Sequence, residues 1–514
     1  MKQNFKGGVA AGHPKTVEAA TLILEEGGNA FDAVVAAHLA ACVTEPVLAS
    51  LGGGGYLLIH DGDSERLYDF FVQTPKRRPA GNSLDFFPIT ADFGTTCQEF
   101  HIGLGSIATP GVVKGLWRIH RQLGRLPLAT VAQPAVEIAR EGVVVNAFQA
   151  YIFDIVAPIY RARKETFHLY RSPADPRQLV REGDLLRQPQ LADTIEALTR
   201  EGEALFYQGE IAAEIARLCA GGGLLTREDL AAYRVESRKP LEIRYRGNRI
   251  VTNPPPSSGG ILIAFALKLL EHCDLPPDGF GTLGHLQCLT RIQQITQQAR
   301  QNAHLDETHE GALPPLLSAG TLQHYLEALD HPLCRRGTTH ISVIDAEGNC
   351  ASLTTSNGEG CGHVIPGTGI MLNNMLGEED LNPRGFNLWP SDTRMTSMMA
   401  PTLAFQKDKV IALGSGGSNR LRTAILQTLI NLLDFSMPLE QAITAPRLHF
   451  EKDTLNLEAG FPDDVLRQLL PHYPTHHLWP GINLFFGGVH AVAGSAGGME
   501  GFGDPRRGGC GAVA

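Results

Sequence analysis

Residues 337–357 constrain the fold more than any other stretch. Ile341, Val343 and Asp345 alternate with Ser342 and Ile344, the two-residue period of a strand. Ala346, Glu347, Gly348 and Asn349 are turn formers, and residues 350–356 are a second run rich in small and β-branched residues. The pattern predicts a β-hairpin whose four-residue turn sets Asp345 across from Cys350. That register puts Thr339 opposite Ser356 and Thr338 opposite Asn357, and directly opposed side chains lie about 5 Å apart. One end of the hairpin therefore collects hydroxyls and an amide.

A hydroxyl is a poor nucleophile until something takes its proton. A cut just before Thr338 would turn the freed α-amine into the general base. With a pKa of about 8, that amine is matched to neutral pH. Gly337 suits the cut, because a residue without Cβ lets its carbonyl reach the strained geometry of attack. The plainer alternative is an ordinary hairpin, since Thr is a good strand residue.

The rest of the chain alternates helices and hairpins. Residues 14–26 read as a helix with Pro14 in its first turn, Val17, Ala20 and Leu24 on one face, and Gly27 and Gly28 as its stop. Asn29 caps a second helix over 30–43, apolar almost all round and so buried. Gly52, Gly53, Gly54 and Gly55 lack the Lys-Ser/Thr of a phosphate loop and lead into a hairpin over 56–70, so they serve close strand packing. Further helices are predicted within 109–142 (two), 145–200, from Thr226 to Tyr233, over 261–271 and over 285–304, the last rich in Gln and so partly exposed. Hairpins are predicted over 241–252 and 402–413, and a strand over 370–372. The second of these hairpins runs into Gly414, Ser415, Gly416, Gly417 and Ser418 and a helix over 420–435, with Ser418 as a helix cap. Residues 307–337, with their prolines, glycines and charge, suit a linker and a cut. Two sheets between helix layers, an α+β fold, follow from this order. His340 reads as a packed strand residue, not a base.

Composition excludes several classes. A formal net charge of −10 argues against nucleic-acid and anionic-membrane partners. Nine cysteines without C-x-x-C pairs argue against a disulfide framework and a zinc site, and no metal or cofactor is expected. The start has no apolar signal-peptide core and no apolar run is long enough to span a bilayer, so a cytoplasmic protein is expected.

Several motifs in order carry a resemblance. They are residues 26–33 (EGGNAFDA), 51–56 (LGGGGY), 253–260 (NPPPSSGG), 338–349, 367–374 (GTGIMLNN) and Gly416-Gly417. Together they resemble the γ-glutamyltranspeptidase family over most of the chain. The resemblance implies the four-layer αββα sandwich of the N-terminal-nucleophile hydrolases. It implies a precursor cut between Gly337 and Thr338 into a large part, 1–337, and a small part, 338–514, that stay associated as one folded unit; a higher oligomer is left open. It makes Thr338 the nucleophile and, through its amine, the base. Thr339 would orient the amine, Ser356 would take the place of a supporting threonine, and Gly416 and Gly417 would bind the oxyanion. The implied partners are a small amide substrate and a water, amine or amino-acid acceptor.

This chain departs from the family where the glutamyl group would sit. Phe71 stands where an arginine clamps the α-carboxylate, and an aromatic ring does not replace a guanidinium fork. Lys76, Arg77, Arg78 and Arg394 are the substitutes within the sequence, against the plainer reading of a solvated basic face. Asn357 comes one residue early, with Gly358 at the family's asparagine. Met375 stands at an amide position, and Met398 at the second of a serine pair that keeps only Ser397. The resemblance implies that the carboxylate holding the substrate's α-amine falls at or near Glu378. A pocket lined by Phe and Met favours an apolar or differently charged acyl group. The leading expectation is a γ-glutamyl amide such as glutathione. The alternatives are an acylase for other acyl groups and, in another class, an uncut binding or scaffold protein. The short stretch between Leu381 and Thr396 predicts no long lid.

Overall fold

Asp345 shows how the central hairpin is built. In the computed structural model its carboxylate accepts from the backbone N–H of Glu347 (2.9 Å) and Asn349 (3.0 Å) and from Asn349 Nδ2 (2.8 Å), closing the turn on itself. The oxygen that accepts from Asn349 Nδ2 also takes the N–H of Ala30 (3.0 Å), the first residue of the helix Ala30–Thr44. Because the Asp345 N–H donates to the Asn349 carbonyl (3.0 Å), the loop is residues 346–348 and one residue shorter than expected, and the register moves by one: Ile344 faces Cys350 and Thr339 faces Thr355. One further step along this register sets Thr338 against Ser356, not Asn357.

The structure describes all residues except 1–4, 79–83, 93–96, 274, 277–278, 304–315, 318–320, 323–337, 383, 418 and 452. Most of the expected linker, Gly337 and Ser418 lie outside the described residues. A seven-stranded sheet runs in the order Cys510–Val513, Gly7–Ala11, Thr339–Asp345, Cys350–Ser356, Gly54–His60, Glu65–Phe70, Glu236–Arg238. A six-stranded sheet runs Gly498–Phe502, Gly488–Ser495, Lys409–Gly416, Thr402–Phe405, Asn248–Thr252, Leu241–Tyr245. The strand Thr339–Asp345 packs face to face on Lys409–Gly416 and Gly488–Ser495, so the sheets stack.

Helices cover both outer faces. Pro14–Glu25 lies on Gly7–Ala11, and Ala30–Thr44 lies on both strands of the central hairpin. All fifteen residues of Ala30–Thr44 are buried, as an all-apolar helix requires, and Asn29 forms the expected cap with Asp32 as its reciprocal partner. Asn419–Leu433 covers Lys409–Gly416 and Gly488–Ser495, beside Ser258–Leu270. This is the expected αββα sandwich.

One local expectation changes. Residues 370–372 form no strand; Met371 and Leu372 make only isolated bridges, to Val364 and Gly52. The Gln-rich helix Leu283–Asn302 is partly exposed, as expected, and the glutamines on its buried face have partners. Gln293 takes the N–H of Phe450 (2.8 Å), and Gln297 accepts from Arg422 (2.8 Å). A buried amide with partners is tolerated where an unpaired one is not. The glycines at 52–55 do serve close packing: a Cβ on Gly52 would lie 2.3 Å from the Met371 carbonyl oxygen, and one on Gly53 2.4 Å from that of Ser356.

Candidate active site

The period of two along the central strand decides which threonine can act. His340 and Ser342 point into the seam between the sheets, where His340 bonds Thr354 Oγ1 (2.8 Å) and Ser342 Oγ (2.9 Å). Burial first, and His490 second, hold the His340 imidazole well below its usual pKa, so it stays neutral and structural. Thr338 shares that face and lines a cleft of about 470 Å³, measured out to solvent, at the end of the seam. Thr339 faces the helix layer instead, and its hydroxyl donates to Glu45 Oε2 at 2.9 Å.

Behind Thr338 the backbone of the next sheet comes very close. A Cβ on Gly416 would lie 1.8 Å from the Thr338 carbonyl oxygen, so only glycine fits. Gly417 follows at φ +123°, a conformation that side-chain-bearing residues rarely adopt. The chain then enters the helix Asn419–Leu433. The two glycines expected at an oxyanion site are thus beside the expected nucleophile. Ser356 also lines the cleft, and its hydroxyl accepts the N–H of Gly358 at 3.0 Å.

The cleft wall holds Phe71, Met375, Glu378, Ser397 and Met398, all five named from the sequence. Ser258, Asp380, Leu381, Thr396, Met399 and Leu421 complete it, and sequence reasoning did not single them out. Ser258 was within reach, because it belongs to the NPPPSSGG motif. That motif's role is visible here. Ser257 Oγ donates to the carbonyls of Ser397 and Met399 (both 2.8 Å), and Asn253 Nδ2 donates to that of Met399 (2.9 Å). The motif straps one wall of the cleft in place. On the opposite side, Asn373 Nδ2 donates to the carbonyls of Gly52 (2.8 Å) and Ala108 (2.9 Å), and its Oδ1 takes the Met375 N–H (3.2 Å).

Asn357 does not line the cleft. It is buried, and neither of its side-chain polar atoms has a hydrogen-bond partner among the described residues. Gly358, at the family's asparagine, has φ +63°, and a Cβ there would lie 2.0 Å from Asn374 Oδ1 and 2.2 Å from Glu378 Oε1. The space for that family side chain is already filled.

Charge around the cleft is one-sided. Of the described lining residues, the ionisable side chains are Glu378 and Asp380, both acidic. Arg394, the nearest substitute for an arginine at 71, is turned behind the wall. It donates to the Phe71 carbonyl, to Tyr233 Oη (2.5 Å) and to the Arg234 carbonyl (2.6 Å), and its Nε lies 3.5 Å from Asp69. Lys76 pairs with Glu228 (2.7 Å) and Arg78 donates to Ser391 (3.2 Å), both on the surface. Phe71 itself is 1% exposed and stacks on Tyr56 with ring centroids 5.5 Å apart.

Two buried charges next to the threonines escaped the sequence reading. Glu45 sits beneath Thr339, and Arg507 Nη1 donates to the Thr338 carbonyl at 3.1 Å. Burial pushes the Glu45 carboxyl up to about 7, opposed by hydrogen bonds from Thr339 and Thr16 and by Arg507. The signal for Glu45 was its place directly after an all-apolar helix and before Pro46.

Comparison with known proteins agrees with this geometry. The γ-glutamyltranspeptidase family model matches residues 16–514. The glutathione hydrolase proenzyme of Escherichia coli K12 is 32% identical over 509 residues, covering 90% of this chain and 84% of that one. The acylase ACY 1 proenzyme of Pseudomonas sp. strain V22 is 31% identical over 489 residues, covering 90% and 86%. Among solved structures, cephalosporin acylase from Bacillus halodurans superposes with a TM-score of 0.83 over 99% of this chain and 96% of that one; at 24% identity it speaks for the fold.

Proposed function

The chain belongs to the γ-glutamyltranspeptidase family, and from that premise we propose that Thr338 is the nucleophile of a self-cleaving amidohydrolase or acyltransferase. The observation that carries this reading is the end of the central strand. There Thr338 opens on a cleft, with Ser356 lining the same cleft and the Gly416 backbone against the Thr338 carbonyl.

The chemistry runs in two rounds. In the precursor, Thr338 Oγ attacks the Gly337 carbonyl, the acyl group shifts from nitrogen to oxygen, and water hydrolyses the ester. This leaves parts 1–337 and 338–514 and a free α-amine on Thr338. In turnover that amine takes the proton from Thr338 Oγ as the oxygen attacks a substrate amide carbonyl. The oxyanion is held by backbone N–H groups of Gly416 and Gly417. Collapse expels the amine half, which takes the proton back from the ammonium. The ester on Thr338 is then opened by water or by an amine acceptor.

The first reading of the acyl group is γ-glutamyl, as in glutathione, with hydrolysis ahead of transfer and Glu378 holding the α-amine. Its support is the likeness to a glutathione hydrolase over nine-tenths of the chain. A second reading has its own observation. Arg394, Lys76 and Arg78 are engaged elsewhere, and the described cleft wall carries Phe71, Met375 and Met398 with two carboxylates. Among the described lining residues an α-carboxylate meets no cation, and like charges about 4 Å apart repel by roughly 1–4 kcal/mol. That favours an acylase for groups without the α-carboxylate, as the acylase relative's name also suggests.

Intact mass of the purified protein tests the cut, and a panel of γ-glutamyl, glutaryl and simple aliphatic anilides tests the acyl group. Wild type splits before Thr338 and carries the acyl adduct on it; Thr338→Ala stays full length. A wild type that stays whole after prolonged incubation sinks the enzyme reading and leaves a binding or scaffold protein. Turnover confined to acyl groups without the α-amino acid selects the second reading.

A further inference from the structure

Arg507 is buried and has no part in the steps above. It ends the short turn Pro505–Arg507, and its side chain threads a gap made by glycines. A Cβ on Gly488 would lie 2.6 Å from its Cδ, one on Gly416 3.2 Å from Nη1, and one on Gly417 3.4 Å from Nη2. Among the described residues its hydrogen bond is to the Thr338 carbonyl, at 3.1 Å, and its Nε–H has no acceptor. Burying a guanidinium with so few bonds is costly, and an apolar side chain of similar length would avoid that cost. On the other face of the strand, Glu45 takes the Thr339 hydroxyl at 2.9 Å and that of Thr16 at 3.4 Å. Gly12 makes room for it: a Cβ there would lie 2.3 Å from Glu45 Oε2.

We propose that Arg507 and Glu45 are positioning residues for the N-terminal threonine. Arg507 fixes Thr338 by its carbonyl and sets a cation beside the Gly416–Gly417 turn; Glu45 fixes the next residue by the Thr339 hydroxyl. This rests on Thr338 being the N-terminal nucleophile.

Two effects follow. With the carbonyl held on one side and the neighbouring side chain on the other, the peptide between Thr338 and Thr339 cannot turn. The amine and hydroxyl of Thr338 then keep their direction into the cleft. The cation also disfavours a second positive charge nearby, so the amine stays an uncharged base at neutral pH. Burial pulls Arg507 down to about 10, with Glu359, Asp504 and Glu45 opposing, so it remains charged through the working range. Other charged or titratable groups face this set. His490 faces Arg507, Cys42 and Cys510 face Glu45, and Glu378 and Asp380 line the cleft into which the amine opens.

The test uses full-length wild type, Arg507→Met, Arg507→Lys and Glu45→Gln, with intact mass, thermal melts, and kcat, KM and pH profile on an anilide that wild type turns over. Cut Arg507→Met loses kcat by about 100-fold with KM within about threefold. Its acid limb moves up by about one pH unit, since the amine now keeps its proton longer. Arg507→Lys returns the limb toward wild type without restoring kcat fully. Glu45→Gln keeps an acceptor for Thr339 and moves the limb the opposite way. A folded Arg507→Met that stays uncut also supports the proposal; if it does not fold, the limbs of Arg507→Lys and Glu45→Gln decide. Variants that cut and show the wild-type kcat and limb overturn the proposal and leave Thr338 as nucleophile. A wild type without a cut overturns the nucleophile reading itself.

Discussion

At the scale of single residues, burial gives side chains roles that their type does not announce. Glu45 is the clearest case. Its carboxyl is pushed from 4.5 up to about 7, so the folded protein holds that proton more tightly than the unfolded chain. The stability it contributes is present below pH 4.5 and is lost as pH rises to 7, by about 3 kcal/mol. Glu45→Gln removes this dependence. The stability difference between variant and wild type, from denaturant melts at pH 4.5 and 7.5, should shift by about 3 kcal/mol in favour of the variant at the higher pH. Arg394 makes the opposite lesson. The sequence allowed it as a carboxylate clamp, yet its fork is spent on Phe71, Tyr233 and Arg234. Arg394→Met should cost about 1–3 kcal/mol by taking the buried donor from the Arg234 carbonyl, Asp69 keeping Arg238 at 2.8 Å, while leaving the ratio of γ-glutamyl to glutaryl turnover unchanged. The resemblance to the family named Phe71, Met375 and Met398 and gave Thr338 its role, because they sit in or beside motifs that recur in order along the chain. It missed Glu45 and Arg507 because their importance lies in contacts to residues some 294 and 169 positions away.

At the scale of elements, helix boundaries followed from caps and glycines, and strand register did not follow from the turn alone. Asn29 and Thr226 cap the helices they were expected to cap, each with a reciprocal acid three residues on. The hairpin register depended on the length of its loop: the Asp345 N–H meets the Asn349 carbonyl, and its carboxylate ties down the N–H groups of Glu347, Asn349 and Ala30, leaving only residues 346–348 between the strands. One side chain therefore sets which residue faces Thr338 and also starts a helix. Asp345→Ala should destabilise the protein by about 2–4 kcal/mol and slow self-cleavage, read by melts and by the time course of the full-length band. Gly416→Ala tests the approach of the second sheet. Its added Cβ would meet the Thr338 carbonyl at 1.8 Å, so the two strands must part there: the cut should slow at least about 100-fold and the melting temperature should fall.

At the scale of the whole molecule, the two sheets interleave what the proposed cut divides. Gly7–Ala11 lies between Cys510–Val513 and Thr339–Asp345, and Asn248–Thr252 pairs with Thr402–Phe405. Hydrophobic periodicity announced two sheets with helix covers, but it could not announce this order, which is set by which faces bury each other. Parts 1–337 and 338–514 should therefore migrate as one particle in native sizing after the cut, separate only in denaturant, and unfold in a single transition. The same arrangement has a consequence for synthesis. The strand Gly7–Ala11, made early, finds both of its neighbours in the sheet only beyond residue 338, in Thr339–Asp345 and Cys510–Val513. The sheet that carries Thr338 therefore closes only when both parts are present, and a fragment of residues 1–337 alone leaves its first strand with neither neighbour.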